Sequence, residues 1–311
     1  MPSIFRNSSP SSCDSNPSGM NPSLNNTRMK QTITLGILAS LGLFSTSSAA
    51  SLYGVTTDNK LISFDTSAPS VFQTSATITG LFDADGTTPN PSGSILNLTA
   101  RTTAPGGFQL YGIDNNANLY TINLGGVATL VSASFSPTGF SAGLAYDVFN
   151  DNLVYAGDNA ENFSLSLAGA ASINPDFTYA GVGAGTPAIF GLGIDPFFGT
   201  AFAIDALNDS LSTSSEISFP VGSQLNIVGG LGVDVTALGG LVVDFDGNLF
   251  ASLSTDGLTS SLYSINSSTG VATSLGNFGA GIGLSSIAVP EPSAALLGGL
   301  GMLALLRRRR L

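Results

Sequence analysis

The sequence predicts an all-β protein, a β-propeller with five four-stranded blades. One strand with an aromatic residue near its start recurs five times, apolar strands ending in aspartate recur before it, and no stretch between Ser51 and Val289 has a helical pattern. The recurring aromatic residues are spaced by 58, 44, 47 and 48 residues, close to the length of a propeller blade. They are Tyr53, Tyr111, Tyr155, Phe202 and Phe250.

The other strands of each unit follow the same order. Gly143–Asp147, Gly191–Asp195 and Gly240–Asp244 are apolar enough to be buried inner strands. Third strands alternate with period two and end in Asp or Asn, and a glycine-containing turn leads to a fourth strand, as at Gly270–Leu275. The third strands are Leu61–Asp65, Leu119–Asn123 and Leu262–Asn266. Each unit is therefore predicted to be a four-stranded meander.

The two ends of the repeated region complement each other. The first unit starts at Leu52 without an inner strand, whereas Leu284–Val289 is an unpaired inner-type strand. We expect the C-terminal strand to complete the N-terminal blade, because this closes the ring and leaves no open sheet edges. The outer half of the third unit and Ser210–Phe219 fit the repeat poorly, so six blades or one irregular blade remain alternatives.

The N-terminal region has the features of a signal peptide. Met29 and Lys30 provide a charged start, Ile33–Phe44 an apolar core, and Ser48-Ala49-Ala50 the small residues before a cleavage site. We predict a signal helix within residues 29–50 and cleavage by signal peptidase between Ala50 and Ser51. Residues 1–28 are interpreted as an upstream leader or a misassigned start.

The C-terminal region, residues 290–311, has three features in order. The motif Val289-Pro290-Glu291-Pro292-Ser293 precedes an apolar run, Ala294–Leu306, which four arginines follow: Arg307, Arg308, Arg309 and Arg310. Thirteen helical residues reach about 20 Å, less than the roughly 30 Å of a bilayer core. We predict a short transmembrane helix with the arginines on the cytoplasmic side and the domain of residues 51–289 outside.

This tail resembles the PEP-CTERM sorting domain. The resemblance implies transient retention in the membrane, recognition by an exosortase, and removal of the tail near Pro290–Pro292. It also implies delivery to the cell surface or extracellular matrix, with exopolysaccharide as a candidate partner.

Composition excludes several functions. Residues 51–289 contain sixteen Asp and two Glu against Lys60 and Arg101, a field that repels nucleic acids. The sequence has no histidine, and its one cysteine, Cys13, precedes the predicted cleavage site. Ser-His-Asp and Cys-His catalysis, His-ligated metals and thiolate-bound cofactors are therefore excluded. We expect a protein that is not an enzyme.

Two chemistries remain open. Glycoside hydrolysis needs a carboxylate pair, for which Glu161 and Glu216 are the candidates, but the sequence lacks tryptophan for sugar stacking. Calcium is the one cofactor left, because it binds oxygen ligands. Aspartate before glycine or asparagine at a junction between strands is ordinary in hairpin turns, and we favour that interpretation over calcium binding. The candidate calcium ligands are Asp83 and Asp85, Asp244 and Asp246, and Asp147 with Asp151.

The first third of the domain resembles the domain-of-unknown-function 4394 family. The segments concerned are Leu52–Asp65, Ile78–Leu81, Leu110–Ile113 and Leu119–Ile122. The resemblance implies an exported, propeller-like domain, and it supplies no activity because that family has none assigned. The sequence thus predicts an exported structural or binding module of the exopolysaccharide matrix or envelope, with a carboxylate-dependent hydrolase of matrix glycans as the alternative.

Overall fold

The computed structural model describes residues 50–103, 107–139, 141–181, 185–214 and 224–290. These residues form β-strands joined by turns and links. The strands are β1 (Ser51–Thr56), β2 (Lys60–Asp65), β3 (Ala68–Thr77), β4 (Ile95–Thr103), β5 (Gly107–Asp114), β6 (Leu119–Ile122), β7 (Ala128–Ser132), β8 (Ala142–Asp147), β9 (Asn152–Gly157), β10 (Asn162–Ser166), β11 (Ala171–Ile173), β12 (Thr178–Tyr179), β13 (Ile189–Ile194), β14 (Ala201–Asp205), β15 (Ser210–Ser214), β16 (Gln224–Gly230), β17 (Gly239–Val243), β18 (Leu249–Leu253), β19 (Ser261–Ile265), β20 (Ala272–Asn277) and β21 (Leu284–Ala288).

The strands form five sheets, which are the five blades of a propeller. Blade 1 has the order β21-β1-β2-β3, blade 2 β4-β5-β6-β7, blade 3 β8-β9-β10-β11, and blade 5 β17-β18-β19-β20. Blade 4 contains β13-β14-β15-β16 with β12 added outside. The inner strands β21, β4, β8, β13 and β17 each contact the next one around a closed ring. The predicted propeller with five blades is confirmed.

The C-terminal strand closes the ring as predicted. β21 pairs antiparallel with β1, with Tyr53 opposite Ala288 and Thr56 opposite Leu284. The first blade therefore takes its inner strand from the end of the domain, and the last link of the circle is made by backbone hydrogen bonds within one sheet.

Blade 4 is irregular, which is one of the two alternatives that the sequence allowed. Its extra strand β12 belongs to the link between β11 and β13 and pairs in parallel with β16, with Thr178 opposite Gln224. β11 in blade 3 has only three residues. The poor fit of this region thus reflects a chain that leaves blade 3 early and adds to blade 4, and the number of blades is five.

The core consists of apolar layers between neighbouring blades. One aromatic at the same position of the second strand faces the following blade in four blades: Tyr53, Tyr111, Phe202 and Phe250. In blade 3 the aromatic, Tyr155, lies one residue later and packs with residues of the preceding blade, while Val154 faces the following one. A shift of one residue in a strand reverses the side of the side chain, so Tyr155 lies on the opposite face of its blade from the other four aromatics.

Candidate functional site

The inner strands approach closely because glycine occupies one equivalent position. A Cβ atom added at Gly143 would lie 2.4 Å from the Leu192 backbone nitrogen of the next blade, and one added at Gly191 would lie 3.2 Å from that of Leu241. Gly240 has the same relation to Ile287, at 3.1 Å. Three of the five junctions around the axis are therefore made by direct backbone approach.

Polar side chains take the place of glycine at the other two junctions. Asn97 Nδ2 donates a hydrogen bond to the Ala142 carbonyl oxygen at 2.5 Å, and Ser286 Oγ accepts one from the Leu98 amide at 3.0 Å. Asn97 and Ser286 are both buried. These groups join blades 2 and 3 and blades 1 and 2, so they are engaged in the fold rather than directed at a ligand.

A small cavity opens at the end of the axis where the first and second strands of each blade are joined. Its volume is about 50 Å³, well below the roughly 300 Å³ at which ligand pockets begin. No carboxylate is among its lining residues. They are Thr99, Ala100, Leu144, Ala145, Tyr146, Val148, Leu192, Gly193, Ile194, Pro196, Leu241, Val242, Val243, Phe245 and Val289.

The aspartates that end the inner strands cap the turns around this cavity. Asp147 Oδ1 accepts a hydrogen bond from the Phe149 amide at 2.9 Å, and Asp195 Oδ1 accepts one from the Phe197 amide at 2.7 Å. In blade 5 the same atom of Asp244 accepts the amides of residues 246 and 248 at 2.9 and 2.8 Å. This is the geometry of an Asx turn.

The candidate calcium ligands do not form one site. Asp85 lies in the link between β3 and β4 and accepts the amide of Thr88 at 2.9 Å and that of Thr87 at 2.8 Å; these hydrogen bonds lower its pKa. Asp151 is bound by Arg101, which lowers its pKa. Among the residues that the structure describes, no three acidic side chains lie close enough together to hold a metal ion.

The end of the ring opposite the cavity carries most of the charge. Its second-to-third-strand turns and its links between blades contain eleven carboxylates, against six described ones in the turns at the cavity end. Lys60 lies at the end opposite the cavity, and Arg101 lies at the cavity end. The eleven are Asp58, Asp83, Asp85, Asp114, Asp158, Glu161, Asp176, Asp205, Asp209, Asp234 and Asp256.

A buried network that the sequence did not reveal fixes one of these links. Asp114 accepts hydrogen bonds from the Asn118 amide at 2.8 Å and from the Tyr120 hydroxyl at 3.0 Å, and that hydroxyl accepts the Phe82 amide at 2.9 Å. Burial raises the pKa of Asp114, and burial and the charge of Asp114 raise the pKa of Tyr120 to about 12. The network attaches the link between blades 1 and 2 to blade 2.

Blade 4 repeats this device with different residues. Asp205 is buried, and it accepts hydrogen bonds from the Tyr179 hydroxyl and from the Ala188 amide, the latter at 3.1 Å. Tyr179 comes from the extra strand β12. A sequence pattern could not have identified the pair, because the two members are separated by 26 residues and lie in different parts of the repeat.

Glu161, one candidate hydrolase carboxylate, binds a loop. It accepts hydrogen bonds from the Thr138 amide at 2.9 Å, the Thr138 hydroxyl at 2.6 Å and the Gly139 amide at 3.2 Å. Burial raises the pKa of Glu161, but these hydrogen bonds outweigh it and leave the pKa below its usual value. A general acid needs a raised pKa. The second candidate, Glu216, lies outside the described residues.

Aromatic and aliphatic side chains surround the cavity at three turns, and all of them are exposed except Phe245, which is half-buried. Phe149, Phe197 and Phe198 are 59%, 60% and 82% exposed, and Val148 is 40% exposed. The rings of Phe197 and Phe245 meet edge to face, 5.7 Å apart between centroids. We call this set, Val148, Phe149, Phe197, Phe198 and Phe245, the aromatic crown.

The chain enters and leaves the propeller at this same end. The Thr66 amide donates to the carbonyl of Ala50, the residue before the predicted cleavage site and β1. Val289 lines the cavity, and Pro290 follows it. The remaining sorting residues, Glu291 to Ser293 and the four arginines, lie outside the described residues, as do the predicted signal helix and transmembrane helix. No helix able to span a membrane occurs in the part of the chain that the structure covers.

Comparison with solved structures finds propeller-like chains at low identity. A chain of a nidogen/laminin complex is 13% identical, with 78% of this chain and 98% of that chain covered and a TM-score of 0.48. Virginiamycin B lyase from Staphylococcus aureus is 8% identical, with 71% and 68% covered and a TM-score of 0.41. Regucalcin from Agrobacterium tumefaciens strain C58 is 13% identical, with 71% and 73% covered and a TM-score of 0.40.

The curated proteins contain no match to this chain. The sequence pattern of one protein family, described as Domain of unknown function (DUF4394), matches residues 60–288. That range runs from the first residue of β2 to the last residue of β21 and so includes nearly all of the propeller. The chain belongs to the DUF4394 family.

Proposed function

We propose that this protein is an exported, non-enzymatic propeller that acts as a structural or binding module at the cell surface or in the exopolysaccharide matrix. Its C-terminal tail would hold it in the membrane until an exosortase removes the tail. The observation that carries this proposal is the position of the tail: β21 closes the ring at Ala288, two residues before Pro290. Cleavage within the Pro-Glu-Pro motif leaves every strand of the propeller in place.

The arrangement of the carboxylates supports a non-enzymatic role. Glycoside hydrolysis needs two carboxyl groups facing a space that holds a sugar. The axial cavity has no carboxylate among its lining residues and about 50 Å³ of space. Glu161, Asp114 and Asp205 are used in internal hydrogen bonds. We therefore favour binding by a surface over catalysis in a pocket.

Mass spectrometry of the mature protein from native culture tests the sorting proposal. We expect a chain that begins at Ser51 and ends near Pro290–Pro292, enriched in the fraction released by extraction of surface polysaccharide. A mature protein that still ends in Arg307–Leu311 would contradict processing.

A variant pair makes the test specific. Glu291→Gln, in the motif, is expected to leave the tail attached and the protein in the membrane fraction. Glu216→Gln is the matched control, because it removes the same charge outside the tail, and it is expected to be processed normally. Equal processing of both variants would remove the motif from the proposal.

A further inference from the structure

We propose that the aromatic crown is a membrane-docking surface, which contacts the interfacial zone of the lipid bilayer while the C-terminal tail is still attached. This inference rests on the proposed function, because it requires the tail to enter the membrane. It adds to that function a defined orientation of the propeller, with the cavity end toward the lipid.

The side chains of the crown are presented for contact by the turns themselves. Asp147 and Asp195 accept the amides that follow them, so the residues after them occupy the tips of tight turns. Phe198 is 82% exposed and Phe197 60% exposed at one such tip. Phenylalanine at exposed loop tips is unfavourable in water and favourable at the boundary of headgroups and acyl chains.

The length of the chain beyond the propeller sets the distance to the membrane. Val289 lines the cavity at the centre of the crown. Three residues, Glu291 to Ser293, separate Pro290 from the apolar run that begins at Ala294. At no more than about 3.6 Å per residue, four steps span at most about 14 Å. A tail inserted in a bilayer therefore holds this end of the ring against the lipid.

The distribution of charge favours the same orientation. Among the described residues, eleven carboxylates lie at the end opposite the crown and six at the crown end. Two of those six, Asp147 and Asp244, are buried, and Asp151 is paired with Arg101. Fewer exposed carboxylates would lose water if the crown end approached lipid than if the opposite end did, so this orientation costs less free energy.

Site-specific fluorescence tests the proposal, because the sequence contains no tryptophan. Phe198→Trp places a single probe in the crown. Leu207→Trp places a matched probe in the turn between β14 and β15 at the opposite end of the same blade, where Leu207 is 76% exposed. Both chains, which begin at Ser51 and keep the C-terminal tail to Leu311, are reconstituted with phosphatidylcholine vesicles whose acyl chains are brominated, and equal melting midpoints check that both variants are folded.

We expect bromine to quench about half of the emission of Trp at position 198 and to leave that at position 207 nearly unchanged, as for a side chain about 5–10 Å into the interface.

Flotation of the vesicles reports separately whether the tail anchors the protein. Chains that float with neither probe quenched, or with both quenched equally, would overturn docking by the crown and leave the anchoring tail intact. Chains that do not float would overturn both proposals. Emission at position 198 that is already blue-shifted without vesicles would show that the tail or a second copy covers the crown, and would also overturn the inference.

Discussion

Arg101 and Asp151 form a two-point ion pair across the junction of blades 2 and 3. Arg101 Nε donates to Asp151 Oδ1 at 3.0 Å and Nη2 donates to Oδ2 at 3.2 Å, while the Tyr146 hydroxyl also donates to Oδ1 at 2.7 Å. The Arg101 guanidinium lies 5.9 Å from the centroid of the Tyr146 ring. The sole arginine of the propeller thus holds the turn in which Asp151 has a positive φ of 47°.

Asp151→Asn should lower the free energy of unfolding, and the loss should shrink as salt is added, because the pair is exposed and screened. Asn tolerates the positive φ, so the change reports the charge. Asp246→Asn, in the corresponding region of blade 5, is the control and should be neutral or slightly stabilising in so acidic a protein. Urea unfolding at low and high salt measures both; equal effects of the two variants would contradict the pairing.

Gly143→Ala should destabilise the ring strongly. The added Cβ would lie 2.4 Å from the Leu192 nitrogen and 2.7 Å from the Gly191 carbonyl carbon, and both are backbone atoms that cannot rotate away. We expect a loss of about 3 kcal/mol. Gly230→Ala is the control: its nearest neighbour is 3.9 Å away, and the change should alter stability by less than about 1 kcal/mol. Equal urea midpoints for the two variants would show that the inner strands do not approach as described.

Features that recur in every blade could be predicted from the sequence, and features that occur in one blade could not. The strand order, the five blades and the closure by β21 follow from patterns of two and of roughly 48 residues, and the structure confirms them. The extra strand β12 could not be predicted, because two residues pairing in parallel with β16 leave no periodic pattern. The hydrogen bonds that attach Phe82 to Tyr120, and Tyr179 to Asp205, were missed for the same reason: these partners are brought together by tertiary contacts.

The sequence identified candidate residues for the sites but did not show what those residues contact. Aspartate at the end of an inner strand indicates either a turn or a metal ligand. Backbone amides donate to Asp147 and Asp244, which identifies turns, and these contacts cannot be read from the sequence. The crown was not predicted, since Phe149, Phe197 and Phe198 stand in turns whose direction depends on the ring. An apolar residue directly after a turn-capping aspartate was the one signal available.

The tail should be dispensable for folding, whereas β21 should not. A chain ending at Pro290 is expected to have the same melting midpoint as one ending at Leu311, because all described pairings of the ring lie before that residue. A chain ending at Gly283 lacks the strand that pairs with Tyr53 and Gly54 and should fail to form a cooperative fold. Circular dichroism melting checks the three chains; cooperative unfolding of the shortest would contradict closure by β21.

Asp244 separates the turn interpretation from the calcium interpretation. Asp244→Asn keeps a side-chain oxygen for the amides of residues 246 and 248 but loses the oxygen that accepts from Asn248 Nδ2 at 2.9 Å, and should cost about 1 kcal/mol. Asp244→Ala removes both oxygens from a buried position and should cost about 2–3 kcal/mol. Neither the parent nor the variants should change melting midpoint between excess calcium and a chelator. A midpoint that rises with calcium in the parent and not in Asp244→Asn would establish a metal site instead.

Alkaline pH should weaken the fold through its buried tyrosines. The pKa of Tyr120 is about 12 in the folded protein, against 10.0 for an ordinary tyrosine, because burial and Asp114 disfavour the phenolate. A raised folded pKa gives stability that is present below pH 10 and lost as the pH rises toward 12. Burial also raises the pKa of Tyr146 and of Tyr179 to about 12, so these two side chains contribute to the decline of parent and variant alike. Tyr120→Phe should be less stable by about 1 kcal/mol at pH 8, since it loses the hydrogen bonds to Asp114 and Phe82, but should decline less between pH 10 and 12. Urea midpoints measured across this range test the assignment, and parallel declines in parent and variant would contradict it.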